Sequence, residues 1–201
     1  GRLTVIDSDI VQFSNLHRQT LYTWHDAECA IEKAEALRRH LNRIMPTCQV
    51  FPKCVRLDRG NADELLHGAD VVADGTDNFE TRLAVNDWCV THGIPWVYAG
   101  AVGTKASVFP VLGRGGCLRC LFPEPLSRES LPTADNIGVL GAATAMAGAQ
   151  SSAFVLRILL GDIPEPVFIT RDVWTGAQSI MTLEQMRSSH GNTQCPVCSS
   201  K

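Results

Sequence analysis

The sequence has little net charge and no uninterrupted hydrophobic run. Its formal charge is -3 over 201 residues, with an isoelectric point of about 6.1. Neither value suggests binding to nucleic acid or to a membrane surface. The most apolar stretch, residues 137–160, contains several glycines and alanines and also Arg157. It therefore predicts a buried helix rather than a membrane span, and residues 3–6 are typical of a strand rather than of a secretory signal.

The cysteines also lack the character of a secreted disulfide framework. Of eight cysteines, four are scattered and the others form two Cys-x-x-Cys pairs, Cys117 with Cys120 and Cys195 with Cys198. Four thiolates make a closed tetrahedral Zn²⁺ site, which leaves no position for a substrate and so predicts a structural role. The alternative is a pair of redox-active dithiols or disulfides. We favour zinc, because we expect a reducing, cytoplasmic location.

Short apolar strands alternate with helical segments along the first half of the chain. Strands are predicted at residues 3–7, 49–55, 70–74 and 95–99, and helices at residues 27–44, 62–67 and 79–92. This order predicts an α/β fold, with a Rossmann-like, mostly parallel sheet and helices on both faces. An antiparallel extension follows, with a strand at 103–112, a long helix at 138–160 and a hairpin at 167–170 and 178–182. We expect one domain over residues 1–201.

A glycine-rich phosphate loop is the most informative absence. Nucleotide-binding sheets of this class usually open with a strand, a Gly-x-Gly-x-x-Gly turn and a helix. Here the first predicted strand, residues 3–7, corresponds to the second strand of such a sheet. We therefore expect the opening strand and its loop to lie in a longer protein or to come from another chain.

An acid ends this first strand and a polar loop follows it. Asp7 lies at the carboxyl end of the strand, where ligands bind in open α/β sheets and where an acid can accept hydrogen bonds from ribose hydroxyls. The alternative for Asp7 alone is a turn-forming residue. Arg18 and Lys33 can hold phosphate oxygens, although each by itself could be solvated surface charge.

Residues 7–19, Asp-Ser-Asp-Ile-Val-Gln-Phe-Ser-Asn-Leu-His-Arg-Gln, resemble the signature loop of the ubiquitin-activating superfamily. Within it, the chain is most similar to the sulfur-carrier adenylyltransferases of molybdopterin-synthase and thiamine biosynthesis. The resemblance implies that the acid binds the ribose of ATP and that polar loop residues and a helix lysine approach the phosphates. The implied ATP-binding residues are Asp7, Ser14, Asn15, Arg18 and Lys33.

A second matching segment is residues 74–82, with the pattern Asp-x-Thr-Asp-Asn-x-x-x-Arg. It resembles the metal-binding turn of the same superfamily. The resemblance implies that Asp77 holds a Mg²⁺ ion bridging the ATP phosphates, that Asn78 lies beside the nucleotide and that Arg82 supports the turn. One placed carboxylate is enough, since Mg²⁺ keeps waters and phosphates as its other ligands. The alternative is that this segment only caps a helix.

No cysteine occurs between residues 121 and 194. Some superfamily members use a cysteine in the loop before the long C-terminal helix to form a thioester or persulfide intermediate. The sequence excludes such a step at that position and leaves adenylylation, with sulfur delivered by another protein. The stretch 136–141 also resembles the family. Its small residues either leave a groove for a flexible glycine-rich tail or only permit close helix packing.

Together these features predict ATP-dependent adenylylation of a carboxylate. The expected substrate is the C-terminal Gly-Gly end of a ubiquitin-like sulfur-carrier protein, and pyrophosphate is released. The predicted catalytic residues are Arg18, Lys33 and Asp77, which stabilise charge at the reacting phosphates. The resemblance also implies a homodimer. Two alternatives stay open: a non-catalytic partner that only binds a ubiquitin-like protein, and a dinucleotide-dependent oxidoreductase, which only the acid after a strand supports.

Overall fold

The computed structural model describes residues 1–112, 116–122 and 137–188, together with residues 195, 197 and 198. The chain divides into two compact units, Gly1–Leu57 and Asp58–Lys201. The prediction of a single domain stays a prediction. Within the described residues, no helix has the length and apolar character needed to cross a membrane.

The first unit is built on a two-stranded parallel sheet. Strand β1 (Arg2–Ile6) pairs with β2 (Gln49–Lys53) over five residues of each. Two helices lie between these strands in the sequence, α1 (Trp24–Glu28) and α2 (Lys33–Ile44), and α2 packs on both strands. A small apolar core forms under the loop after β1, from Val11, Ala27 and Ala36 with Leu16, Tyr22 and Ile31 packed against them.

The single helix predicted over residues 27–44 is wrong. Helix α1 starts earlier, because the side chain of Thr23 accepts a hydrogen bond from the backbone of Asp26 and the Asp26 carboxylate accepts one from the backbone of Thr23. It ends at Glu28, and Ala30 then has a φ of 47°, in the left-handed region. The break allows the Val11 N–H to donate to the Ile31 carbonyl at 2.8 Å. Apolar spacing continues across the break, so periodicity alone could not reveal it.

We expect Ala30→Gly to raise the free energy of unfolding by about 0.5 kcal/mol. Glycine relieves the Cβ clash of a left-handed residue. This gain exceeds the cost of ordering glycine, which has more conformational freedom than alanine in the unfolded chain. Urea unfolding measures the change. The matched control is Ala36→Gly, inside α2 and fully buried, which should lower stability. Equal losses in both variants would contradict the left-handed turn at Ala30.

The second unit contains a five-stranded sheet in the order β3-β4-β5-β6-β7. The strands are β3 (Val72–Ala73), β4 (Trp96–Val102), β5 (Lys105–Val111), β6 (Phe168–Asp172) and β7 (Gln178–Met181). Only the β3–β4 pair is parallel, and the other three pairs are antiparallel. The predicted α/β class with an antiparallel extension is confirmed, although the antiparallel part is the larger one within this sheet.

In the described part of this unit, five helices accompany the sheet: α3 (Ala62–Leu66), α4 (Phe79–His92), α5 (Leu118–Leu121), α6 (Gly141–Leu159) and α7 (Leu183–Ser188). Helix α6 packs on β4 and β5, and Ala147 and Phe154 contribute to a core with Val97, Ala106 and Val108. The predicted bounds of α4 are confirmed to the residue. This helix ends at Gly93, whose φ of 69° is a left-handed C-cap that glycine adopts without strain.

Candidate functional site

The first cluster of polar residues lies at the carboxyl end of β1. Asp7 follows the strand, and its Oδ1 accepts a hydrogen bond of 2.9 Å from the Asp9 N–H. Lys33 is the first residue of α2 and is only 7% exposed. Its Nζ donates to Asp9 Oδ2 at 2.9 Å and its backbone N–H donates to the Asp9 carbonyl at 2.8 Å. Lys33 is therefore not a solvated surface residue. Its side chain and its backbone both donate hydrogen bonds to Asp9, in the loop after β1.

Sequence reasoning assigned no role to Asp9, the partner of Lys33. The Asp-x-Asp spacing at the end of β1 was the only available signal, and it did not indicate which side chain 24 residues away would pair with it. The Asp9 side chain is 60% exposed, so this ion pair is only partly desolvated. An anion that replaced the Asp9 carboxylate beside the ammonium group would keep this largely buried cation paired.

The loop that follows is organised around Asn15, which is 5% exposed and ends a short 3₁₀ turn, Phe13–Asn15. Its Oδ1 accepts from the Gln12 N–H at 3.0 Å, and its carbonyl accepts from the Arg18 N–H at 3.0 Å. The Arg18 guanidinium in turn donates to the Ser14 carbonyl at 2.8 Å. The oxygens of Asn15 thus maintain the loop, and its amide nitrogen is the group that can serve a ligand.

Two further residues of this region were missed. Burial, followed by the charges of Asp7 and Asp26, raises the pKa of Tyr22 to about 12, so this phenol stays neutral at physiological pH. Gln19 has a buried Oε1 with no hydrogen-bond partner among the described residues. A buried acceptor of this kind can receive a hydrogen bond from a ligand. Nothing in their residue types distinguished them from ordinary loop residues.

The second cluster is the turn after β3, in the second unit. The Asp74 carboxylate accepts from the N–H and the hydroxyl of Thr76, both at 2.8 Å, and from Arg82 Nε at 2.9 Å. Arg82 also donates to the carbonyls of Thr76 and Ala99. The side chains of Asp74 and Arg82 are 2% and 13% exposed. Burial by itself lowers the pKa of Arg82, but Asp74, Tyr98 and Asp77 together more than offset this and raise it above its usual value.

The end of this turn contains a capping residue, Asn78, and an exposed carboxylate, that of Asp77. The Asn78 side chain accepts from the Thr81 N–H at 2.9 Å and so caps α4. Asp77 is exposed, and its carboxylate forms no hydrogen bond with the described part of the chain. The capping alternative is therefore correct for the Asn78 oxygen. Asp77 is left with the solvent-facing carboxylate that a hydrated cation requires.

The predicted nucleotide residues thus form two sets in different units. Asp7, Ser14, Asn15, Arg18 and Lys33 belong to the first unit, and Asp77 and Asn78 to the second. The loop at 123–136, part of the region in which no cysteine occurs, lies outside the described residues.

The third cluster contains the four paired cysteines, all buried, with their Sγ atoms within 4.8 Å of one another. Cys117 Sγ is 3.6 Å from Cys195 Sγ, and Cys120 Sγ is 3.4 Å from Cys198 Sγ. A tetrahedral site with Zn–S bonds of about 2.3 Å has sulfur–sulfur distances of about 3.8 Å, so the residues fit a zinc ion.

The proton balance of these cysteines also fits a cation. Hydrogen bonds with Cys120 and Cys198, together with burial, raise the pKa of Cys117, whereas hydrogen bonds with Cys117 and Cys198 lower the pKa of Cys120. Without a cation, the buried sulfurs do not all ionise together. A divalent metal makes four thiolates favourable, since metal binding releases their protons.

We expect about one zinc ion per chain, measured by native mass spectrometry and elemental analysis. Cys120→Ser should lose the zinc and melt at a lower temperature, because the buried cluster then lacks a ligand. Cys29→Ser is the matched control, since Cys29 is exposed and outside the cluster. Wild-type protein that is free of metal and contains Cys117–Cys195 or Cys120–Cys198 disulfides under reducing purification would contradict the zinc assignment.

The model of the ThiF family matches residues 1–197. The chain is 36% identical over 203 residues to the adenylyltransferase and sulfurtransferase MOCS3 of Drosophila grimshawi, covering 99% of this chain and 44% of that protein. It is 34% identical over 206 residues to the sulfur carrier protein ThiS adenylyltransferase of Bacillus subtilis, covering 100% of this chain and 58% of that protein. The chain thus spans about half the length of these curated relatives.

Solved structures give the same fold. The microcin C7 biosynthetic enzyme MccB in complex with N-formylated MccA superposes with a TM-score of 0.80 at 21% identity, covering 98% of this chain and 60% of that one. E. coli MccB with ATP superposes with a TM-score of 0.78 at 21% identity, covering 98% and 59%. At these identities the likeness establishes the fold alone.

Proposed function

This chain belongs to the ThiF family, and from that membership we propose that it adenylylates the C-terminal carboxylate of a ubiquitin-like sulfur-carrier protein with ATP. The observation that carries the proposal is the buried Lys33, whose Nζ is tied to Asp9 at the carboxyl end of β1. A lysine held there, next to Asp7, supports binding of ribose and phosphate in one place. The relatives named as adenylyltransferases of sulfur carriers support the substrate class.

The proposed reaction is a single displacement. A carboxylate oxygen of the carrier forms a bond to the α-phosphorus of ATP, and the bond from that phosphorus to the bridging oxygen breaks, so that pyrophosphate leaves. Arg18 and Lys33 bind phosphate oxygens, with the ammonium exchanging its exposed partner Asp9 for a phosphate. Asp7 binds the ribose hydroxyls. No protein nucleophile is needed, because the chain brings two reactants together.

The remaining predicted residues have narrower proposed roles. Asn15 and Asn78 use their side-chain oxygens within the protein, so each would contact the nucleotide through its amide N–H groups, with Ser14 beside Asn15. Asp77 would hold Mg²⁺, which when bound neutralises charge on the phosphates. Cys117, Cys120, Cys195 and Cys198 would hold zinc as a structural ion.

The proposal also covers the absence of a covalent intermediate, the cellular location and the oligomeric state of the protein. No cysteine occurs between residues 121 and 194, so we propose no covalent intermediate with the carrier at that position of the chain. A reducing cytoplasm suits the zinc thiolates. We also propose that the functional protein is a homodimer, which light scattering of the full-length protein would test.

ATP–pyrophosphate exchange tests the function. The full-length protein, with MgATP and labelled pyrophosphate, should catalyse exchange only when a carrier ending in Gly-Gly is added. The same carrier without its last glycine is the matched control. Exchange that does not depend on a carrier, or its absence with every carrier tested, would contradict adenylylation. Carrier binding without exchange would instead identify a non-catalytic partner.

A further inference from the structure

The segment that holds the first cysteine pair lies along α4, the helix that starts just after Asp77. Two residues between Cys117 and Cys120 bond to side chains of α4. The Leu118 N–H donates to Asn86 Oδ1 at 2.8 Å, and the Arg119 guanidinium donates to both Asp87 oxygens, each at 2.7 Å. The cysteine segment is therefore attached to the middle of this helix.

Asn86 is the inner part of this attachment. It is 0% exposed, and its Nδ2 donates to Asp87 Oδ1 at 3.2 Å while its Oδ1 accepts from Leu118. A fully buried amide that bonds to another segment's backbone fixes the spacing of the two segments, because breaking the bond leaves a buried donor unsatisfied. The distance between α4 and the cysteine segment is thus well defined.

A third contact reaches the start of α4. Phe122, two residues after Cys120, packs edge-on against Phe79 with ring centroids 5.0 Å apart. Phe79 is the first residue of α4, next to the capping Asn78 and two residues after Asp77. The path from a cysteine ligand to the Asp77 carboxylate therefore passes through one aromatic contact and a few backbone bonds.

We propose that Phe122 and Asn86 are positioning residues that connect the cysteine cluster to the Asp77 turn, so that metal bound by the cysteines tightens the binding of MgATP. The inference rests on the proposed function, in which Asp77 binds magnesium. An ion bound by the four thiolates would hold Cys117 and Cys120 in a fixed turn. That turn supports α4 at its first residue through Phe122 and at its middle through Asn86.

Binding linkage makes the proposal testable in two directions. If zinc raises the affinity for MgATP by a given factor, MgATP must raise the affinity for zinc by the same factor. Protein stripped of zinc with a zinc-selective chelator, then moved to magnesium buffer, should bind MgATP about fivefold more weakly by calorimetry. At equilibrium, MgATP should shift the distribution of zinc between the intact protein and a competing chelator toward the protein by the same factor. These two experiments use only the wild-type protein.

The variant that isolates the aromatic contact is Phe122→Ala. We expect it to retain its zinc and the absorption spectrum of its cobalt-substituted form, and to bind MgATP about fivefold more weakly. Its affinity for ATP without magnesium should change by less than about twofold. General loosening of the fold would weaken the binding of MgATP and of metal-free ATP alike, so it would not produce this difference. Phe122→Tyr should restore the affinity. The matched control is His92→Ala, which removes a ring contact with Trp88 at the other end of α4.

The outcomes separate the two proposals. Wild-type protein that binds MgATP with the same affinity with and without zinc would overturn the inference and leave the proposed function standing. Equal weakening of ATP binding with and without magnesium in Phe122→Ala would also overturn it. Wild-type protein with full zinc that does not bind MgATP would overturn the proposed function, and the inference with it.

Discussion

Asp77→Ala is expected to lower carrier-dependent ATP–pyrophosphate exchange by about 100-fold or more, because a metal ion on transferring phosphates is worth several kcal/mol. The fold should survive the change, since the exposed Asp77 carboxylate makes no hydrogen bond with the described residues and Asn78 caps α4. Exchange at saturating carrier measures the loss. Circular dichroism and zinc content show whether the variant is folded.

The matched control for this prediction is Asp70→Ala. Asp70 is also an exposed acid, but it precedes β3, whereas Asp77 belongs to the turn that follows that strand. We expect less than a threefold change in exchange for Asp70→Ala. Equal activity of wild type and Asp77→Ala would remove Asp77 from the proposed metal site. Titration with Mn²⁺ adds a direct readout, because Asp77→Ala should need a higher metal concentration.

The second large effect is expected for stability. Arg82→Met should lower the free energy of unfolding by about 3–5 kcal/mol, since it leaves a buried carboxylate without its cationic partner. The Asp74 side chain is 2% exposed, and the carbonyls of Thr76 and Ala99 lose their Arg82 donor as well. Methionine retains much of the apolar stem that packs near Tyr98, whose ring centre is 4.9 Å from the guanidinium carbon.

Urea unfolding at constant zinc concentration measures this loss, with Arg157→Met as the control. Arg157 also forms a two-bond ion pair, with Asp162, but both side chains are exposed, so the expected loss of stability is much smaller. Removing both Asp74 and Arg82 should cost less than the two single losses added together, because no unpaired charge is left. A cost for Arg82→Met no larger than for Arg157→Met would contradict the buried pair.

Local signals were sufficient for several parts of the molecule. The end of α4 followed from Gly93, because a glycine C-cap is decided within a few residues. The two Cys-x-x-Cys pairs predicted the four-sulfur cluster, since four ligands of one type at that spacing fit few other structures. The superfamily resemblance carried by residues 7–19 and 74–82 is confirmed by the family match and the relatives.

Other features depended on contacts between distant residues, which only the tertiary structure could decide. The break between α1 and α2 depends on the backbone bond between Val11 and Ile31, 20 positions apart. The partner of Lys33 and the contact of Phe122 with Phe79 are likewise non-local. Residue types and spacing therefore determined which groups the chain has available for chemistry. Packing decided which of them form hydrogen bonds within the protein, as the side-chain oxygens of Asn15 and Asn78 do. Packing also left the Asp77 carboxylate exposed to solvent.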